Sequence, residues 1–209
     1  MNPLKSVLGT IISGFVLSII ILLVVGDRPM IAMGTVAKTS SIIIWLHVFA
    51  GIIWIGLLYY FNFVQVPALG AAASDQGGPG GAGITKYVAP RALLWFRWGA
   101  LATWLTGATF LMHSGKGSFA GAFMLGMGGE NVNAYNLTIG IGAWLGTIML
   151  FNVWVLIWPN QKKVLGMVEA SAEEIAKAKN IAFLASRTNT LLSIPLIMSM
   201  VGAGHGFFM

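Results

Sequence analysis

The chain has 209 residues, 57% hydrophobic and 9% charged, with a net charge of +6 and a mean hydropathy of +0.83. A soluble domain carries about 25% charged residues, so a fold of this size has too little polar surface to face water, and the solvent expected is lipid. The absence of cysteine excludes disulfides, thiolate metal sites, iron–sulfur clusters and covalently attached haem.

Five apolar runs reach the length a bilayer crossing needs, about 20 residues. They lie near 7–25, 42–66, 93–112, 137–158 and 190–208. The fold expected is an all-α integral membrane bundle of five transmembrane helices, a single domain over 1–209. The first run follows Lys5 as a signal peptide would. It is long for the apolar region of such a peptide, and no small-x-small cleavage site follows, so it is expected as a retained helix.

Pro67 bounds the second run and Pro159 the fourth, and proline is expected to end both helices. Pro195 lies inside the fifth and is expected to kink it. Residues 68–85 are rich in glycine and alanine and read as a mobile loop. Residues 114–136 read as a loop whose apolar patch, Phe119 to Met127, lies in the membrane interface. Residues 171–186 read as a short amphipathic helix, opened by a capping box in which Ser171 and Glu174 satisfy each other's free amides.

The basic residues sit in the loops, which is the pattern of membrane topology and not of a nucleic-acid groove. Lys5, Lys86, Arg91, Arg97, Lys162, Lys163, Lys177, Lys179 and Arg187 fall on one side. Arg28, Lys38 and Lys116 fall on the other. This excess places the N-terminus in the cytoplasm and the C-terminus outside, as expected of a multi-pass protein of a bacterial inner membrane.

That topology puts all three histidines, His47, His113 and His205, toward the outer face. His47 lies roughly 9 Å deep at 1.5 Å per residue, with His205 at a similar or shallower level and His113 nearer the surface. A histidine inside lipid is costly and is usually functional. A b-type haem needs neutral imidazoles from facing helices and small residues where the porphyrin meets the backbone. Gly51 lies one turn after His47, Gly204 and Gly206 flank His205, and Gly140, Gly142 and Gly146 line another face. The competing readings are another metal, or histidines that only hydrogen-bond a neighbouring helix.

At the cytoplasmic side lie Asn62, Gln65, Asn152, Ser186, Asn189 and Thr190. Arg97 has no carboxylate partner in any span. It snorkels to headgroups, or joins Arg91 and Arg187 in an anion pocket.

Four stretches carry a family resemblance: Trp45–Pro67 (WLHVFAGIIWIGLLYYFNFVQVP), Pro90–Ala100 (PRALLWFRWGA), Ile157–Lys163 (IWPNQKK) and Ser186–Pro195 (SRTNTLLSIP). Together they resemble the urate oxidase N-terminal domain family, the membrane part of bacterial urate hydroxylase. The likeness runs over roughly residues 41–205 and carries His47 and His205 onto family positions. The full hydroxylase resembles a longer membrane domain followed by a cytochrome c domain. This sequence holds no Cys-x-x-Cys-His, so it is similar to a short stand-alone member without that module.

Three functions stay open on this reading. The first is a redox protein, or an accessory subunit of a larger respiratory or oxidase-type complex. It would bind haem b non-covalently, with His47 and His205 on the iron, His113 in support and a periplasmic cytochrome c as partner. The second, implied by the resemblance, is a urate or purine hydroxylase component, which would make the chain part of an oxidoreductase. The third is a haem-free structural subunit.

Overall fold

In the computed structural model, residues 2–25 and 35–206 are described, with side chains described over 2–21 and 39–206. Every regular element among them is helical: α1 (Val7–Val25), α2 (Thr35–Tyr59), α3 (Val66–Ser74), α4 (Ala89–His113), α5 (Phe119–Phe123), α6 (Ala134–Phe151), α7 (Trp158–Val164) and α8 (Ala172–His205). Arg28, and the side chain of Lys38, lie outside the described residues.

The chain forms two compact units, Met1–Lys38 and Thr39–Met209. In the first, a 3-10 turn over Pro3–Lys5 leads into α1. Asn2 accepts a hydrogen bond from the Leu4 amide at 2.9 Å, and Ser6 Oγ accepts from the Gly9 amide at 3.0 Å. The two side chains thus satisfy amides that a starting helix leaves free.

In the second unit, three continuous helices are long and apolar enough to cross a membrane: Thr39–Ser74, Ala134–Val164 and Ala172–His205. The helix α4 also has the length, 25 residues, but Arg91, Arg97 and three threonines make it more polar. The expected amphipathic helix at 171–186 and the expected span at 190–208 are one helix, α8. Its first turn is closed by the capping box, with Glu174 N to Ser171 Oγ at 3.2 Å and Ser171 N to Glu174 Oε2 at 2.9 Å. Residues 207–208 of that expected span lie outside the described residues.

The prolines do not end the helices, which corrects the sequence expectation. Proline has no amide hydrogen, and its ring presses on the carbonyl four residues back. Before each of Pro67, Pro90 and Pro159 the chain widens into a π-helical turn: Tyr60–Gln65, Ile84–Val88 and Asn152–Ile157. The residue just before each proline donates five residues back: Val66 to Phe61 O, Ala89 to Ile84 O and Trp158 to Val153 O. The wider turn gives the ring room, and helix resumes as α3, α4 and α7. Pro195 lies inside α8, which runs through it.

Two expected loops also prove more structured. Residues 68–74 of the glycine- and alanine-rich stretch are helical, as part of α3. Within 114–136, the short helix α5 packs on α6: Ala122 is fully buried, Trp144 Nε1 donates to Phe123 O at 3.0 Å, and the Phe123 and Trp144 rings meet edge-on at 5.2 Å. Gly140 permits the approach, because a Cβ there would collide with the Ala122 carbonyl.

The helices α2, α4, α6 and α8 form a closed antiparallel ring. Between α2 and α4, the contacts run from Ser40–His113 at one end to Phe61–Phe96 at the other. Between α4 and α6 they are Trp104–Thr147 and Trp98–Trp154, and between α6 and α8, Gly142–Ser199 and Asn152–Asn189. Tyr59–Ser193 and Asn62–Ser186 join α2 to α8. This is up-down-up-down bundle topology.

The outer surface departs from that of a water-soluble bundle, while Trp54, Leu58, Phe96, Met149 and Val153 fill an apolar core. Asn62, Thr138, Asn152, Asn189, Ser193 and Ser199 are buried, whereas Ile52, Val64, Val155, Leu184, Leu191 and Ile194 are exposed. Asn189 is 0% exposed. It accepts from Asn152 Nδ2 at 2.8 Å and donates to Met149 O at 3.0 Å. Removing it strands two buried groups. Asn189→Ala is expected to cost about 1–2 kcal/mol, read as a lower denaturation midpoint of the purified protein. Thr109→Ala, on a half-buried residue whose hydroxyl bonds only within its own helix, should change stability by less than about 0.5 kcal/mol.

Candidate functional site

The bundle carries chemistry at both ends, and the histidines mark one of them. His47 projects from α2 onto α4, half-buried. Its Nδ1 lies 2.8 Å from Thr103 O. A carbonyl only accepts, so Nδ1 carries the proton, and in the neutral imidazole Nε2 holds the free lone pair. Thr106 Oγ1 lies 3.3 Å from the same nitrogen and gives its own proton to Ala102 O at 2.6 Å. Gly107 makes room for the ring: a Cβ there would sit 2.9 Å from His47 Cε1. Gly51 faces α4 as well, where a Cβ would meet Thr103 Cγ2 at 3.8 Å.

His113 and His205 are exposed, and each bonds its own helix: His113 Nδ1 to Thr109 O at 2.9 Å and His205 Nδ1 to Val201 O at 3.0 Å. The His113 carbonyl accepts from Ser40 Oγ at 2.9 Å, so His113 is level with a residue about two turns above His47 on α2. Among the described residues, no group of three or more His, Cys, Asp or Glu side chains could hold a metal ion. Metal-ligating histidines commonly donate one ring N–H to such an acceptor, and His47 alone of the three makes the bond to a neighbouring helix.

The arginines at the other end are each engaged separately. Arg97 stacks its guanidinium 3.7 Å from the centre of the Trp158 ring. Arg91 donates to Tyr87 O at 2.5 Å, and Arg187 lies 5.2 Å from the centre of the Phe183 ring. No described contact brings the three onto one point. Arg97 finds in Trp158 the partner that no carboxylate supplies, a cation–π contact.

A cavity of about 420 Å³ lies at this end, framed by the π turn Tyr60–Gln65, α3, α4, α7 and α8. Phe61, Leu93, Phe96 and Ile157 wall it, and Asn62, Gln65, Gln161, Lys179 and Ser186 supply polar groups. Asn62 Nδ2 donates to Leu58 O at 2.9 Å and to Ser186 Oγ at 2.8 Å. Its Oδ1 and the Oε1 of Gln65 are buried and have no protein partner. Both amides belong to the π turn before Pro67. A π turn often marks a functional position, because it re-aims the side chains that follow.

Sequence reasoning flagged Asn62, Gln65 and Ser186 as polar but did not join them, and it missed Gln161 and Lys179 as their neighbours. The signal was proline: three helical runs each carry a proline near the same end of the bundle.

Residues 130–209, less than half of the chain, match the family described as Urate oxidase N-terminal. The C-terminal hairpin resembles that family. The match covers α6 to α8, with Ile157–Lys163, Ser186–Pro195 and His205. Trp45–Pro67, Pro90–Ala100 and His47 fall outside it. No curated protein and no solved structure matches the chain.

The His47 stance depends on the absence of a side chain at residue 107. Gly107→Ala is expected to push the imidazole off Thr103 O. Histidine ¹⁵N spectra check this: the His47 signal should lose its Nδ1–H preference while those of His113 and His205 stay unchanged.

Proposed function

We propose that the chain is a five-span protein of a bacterial inner membrane, N-terminus in the cytoplasm, that works as a redox subunit with His47 as ligand to a b-type haem. The observation that carries this reading is the Thr103 carbonyl 2.8 Å from His47 Nδ1, which leaves Nε2 free on a residue set within a candidate span. Bound there, the group would supply one-electron transfer. The chain's own contribution is to fix the tautomer and the ring plane, through Thr103, Thr106 and Gly107. His205 and His113 lie toward the same end of the bundle, and His205 is the second ligand in this proposal. A periplasmic cytochrome c and further membrane subunits are the partners it calls for.

A dithionite-reduced minus oxidised spectrum of the purified protein should show a b-type α-band, with about one haem per chain by pyridine haemochrome. His47→Ala should abolish the band while the protein stays folded. A colourless wild-type protein, purified gently, would overturn the reading.

The family match on residues 130–209 favours a second reading, a membrane component of a urate hydroxylase. On that reading urate drives reduction of added cytochrome c by membranes holding the chain, and no reduction above membranes without it counts against it.

A further inference from the structure

The amide cavity stands well away from His47. Along α2 and its π turn, Asn62 lies roughly 20 Å from His47, at 1.5 Å per residue. None of the contacts that hold the imidazole reaches it. What the cavity takes is therefore a separate question from haem.

Its chemistry is one-sided. Asn62 is 2% exposed and Gln65 8% exposed, and each presents an oxygen acceptor with no partner. Leaving such an acceptor unmatched costs about 1–3 kcal/mol. The Asn62 amide is not free to turn round, because its Nδ2 is held by Leu58 O and Ser186 Oγ. The deep part of the site thus asks for O–H or N–H donors, up to two of them.

Charge narrows the class further. The depth holds neutral amides and aromatic rings, and the cation among the lining residues, Lys179, is exposed. An anion drawn to the depth would shed its water against groups that carry no compensating charge. A neutral ring compound would not. Phe61, Phe96 and Phe183 among the lining residues give such a ring apolar surroundings. The outer surface beside this site is apolar, with Phe63, Val64, Tyr87 and Val88 all exposed, which suits a ligand that arrives from lipid with a hydrocarbon tail.

We propose that this cavity binds the head of a membrane quinol, with its two hydroxyls donating to Asn62 Oδ1 and Gln65 Oε1. The oxidised quinone has carbonyls where the quinol has hydroxyls. It offers Asn62 Oδ1 no proton and sets acceptor against acceptor there, since that amide is held in place. The site therefore holds the reduced form in preference, which is the state a redox subunit must capture to gain electrons. The proposal extends the redox reading but does not need haem to be tested.

The test uses the full chain in nanodiscs, with decylubiquinol under anaerobic reductant and decylubiquinone as probes. Binding is read by equilibrium partition against empty nanodiscs. The quinol should bind at least about tenfold tighter than the quinone, the worth of one matched buried acceptor. Gln65→Leu, which removes an acceptor that makes no bond in the protein, should narrow that difference and leave the share that Asn62 supplies. Val64→Ala, on the exposed face beside it, should keep it. Equal affinity for the two forms, no uptake above empty nanodiscs, or an unchanged preference in Gln65→Leu would each overturn the proposal and leave the cavity to water. Uptake of urate in place of quinol would overturn it in favour of a water-soluble ligand. Loss of the haem band in His47→Ala with quinol preference intact would show that the two sites stand apart.

Discussion

Every backbone amide lost inside an apolar environment must be made good within the protein. Three prolines near one end of this bundle remove three such amides. The chain answers each with the same device, a widened turn whose last amide reaches five residues back. A turn that holds one extra residue re-phases the helix beyond it by about 100°. The paths of α3 and α7, and hence the walls that Leu69, Gln161 and Val164 give the cavity, follow from that choice. So does the burial of Asn62 and Asn152, the residues that tie neighbouring helices together. At the other end no proline intervenes, α2 and α4 run regularly, and Gly51, Gly99 and Gly107 bring them close enough for an imidazole to reach a backbone carbonyl.

Helices in hydrocarbon gain little from hiding apolar surface, since the lipid is as apolar as leucine. What holds them is close packing and hydrogen bonds between helices. Both are visible on α6 and α8. Gly142 and Gly146 bring α6 close against α8, and Ser199 reaches across to Thr138 O and the Gly142 amide. The turn between α7 and α8 is set by Gly166 at φ 69°, where the Met167 amide closes on Lys162 O at 2.9 Å, a helix ending that suits glycine. Across it, Lys163 Nζ lies 3.3 Å from Glu174 Oε1, a surface pair of little energetic weight.

Much of this was legible in the residues. Apolar runs of bilayer length gave the helices, and Ser171 with Glu174 gave the start of α8. What misled was the meaning of proline. Read alone, Pro67 and Pro159 stop a helix, and nothing local says that a π turn will let it continue. The histidines were legible as a set but not as individuals. Spacing put His47, His113 and His205 on one side, whereas only packing separates the half-buried imidazole that α2 sets against α4 from two exposed ones that bond their own helices. The cavity was the least legible feature, because Asn62, Gln161 and Lys179 are far apart in sequence and meet only when the ring of helices closes.

The apolar outer surface bears on how the fold responds to temperature. The curved stability profile of a water-soluble protein comes from the heat capacity of apolar groups meeting water on unfolding. Here Ile52, Leu191 and Ile194 face outward in the folded state, and helices that separate within lipid never wet them. The bonds that part, such as Asn152 to Asn189, carry little of that heat capacity. Helix separation within the bilayer should therefore follow a nearly straight line in temperature, with no optimum near ambient conditions and no loss of structure on cooling.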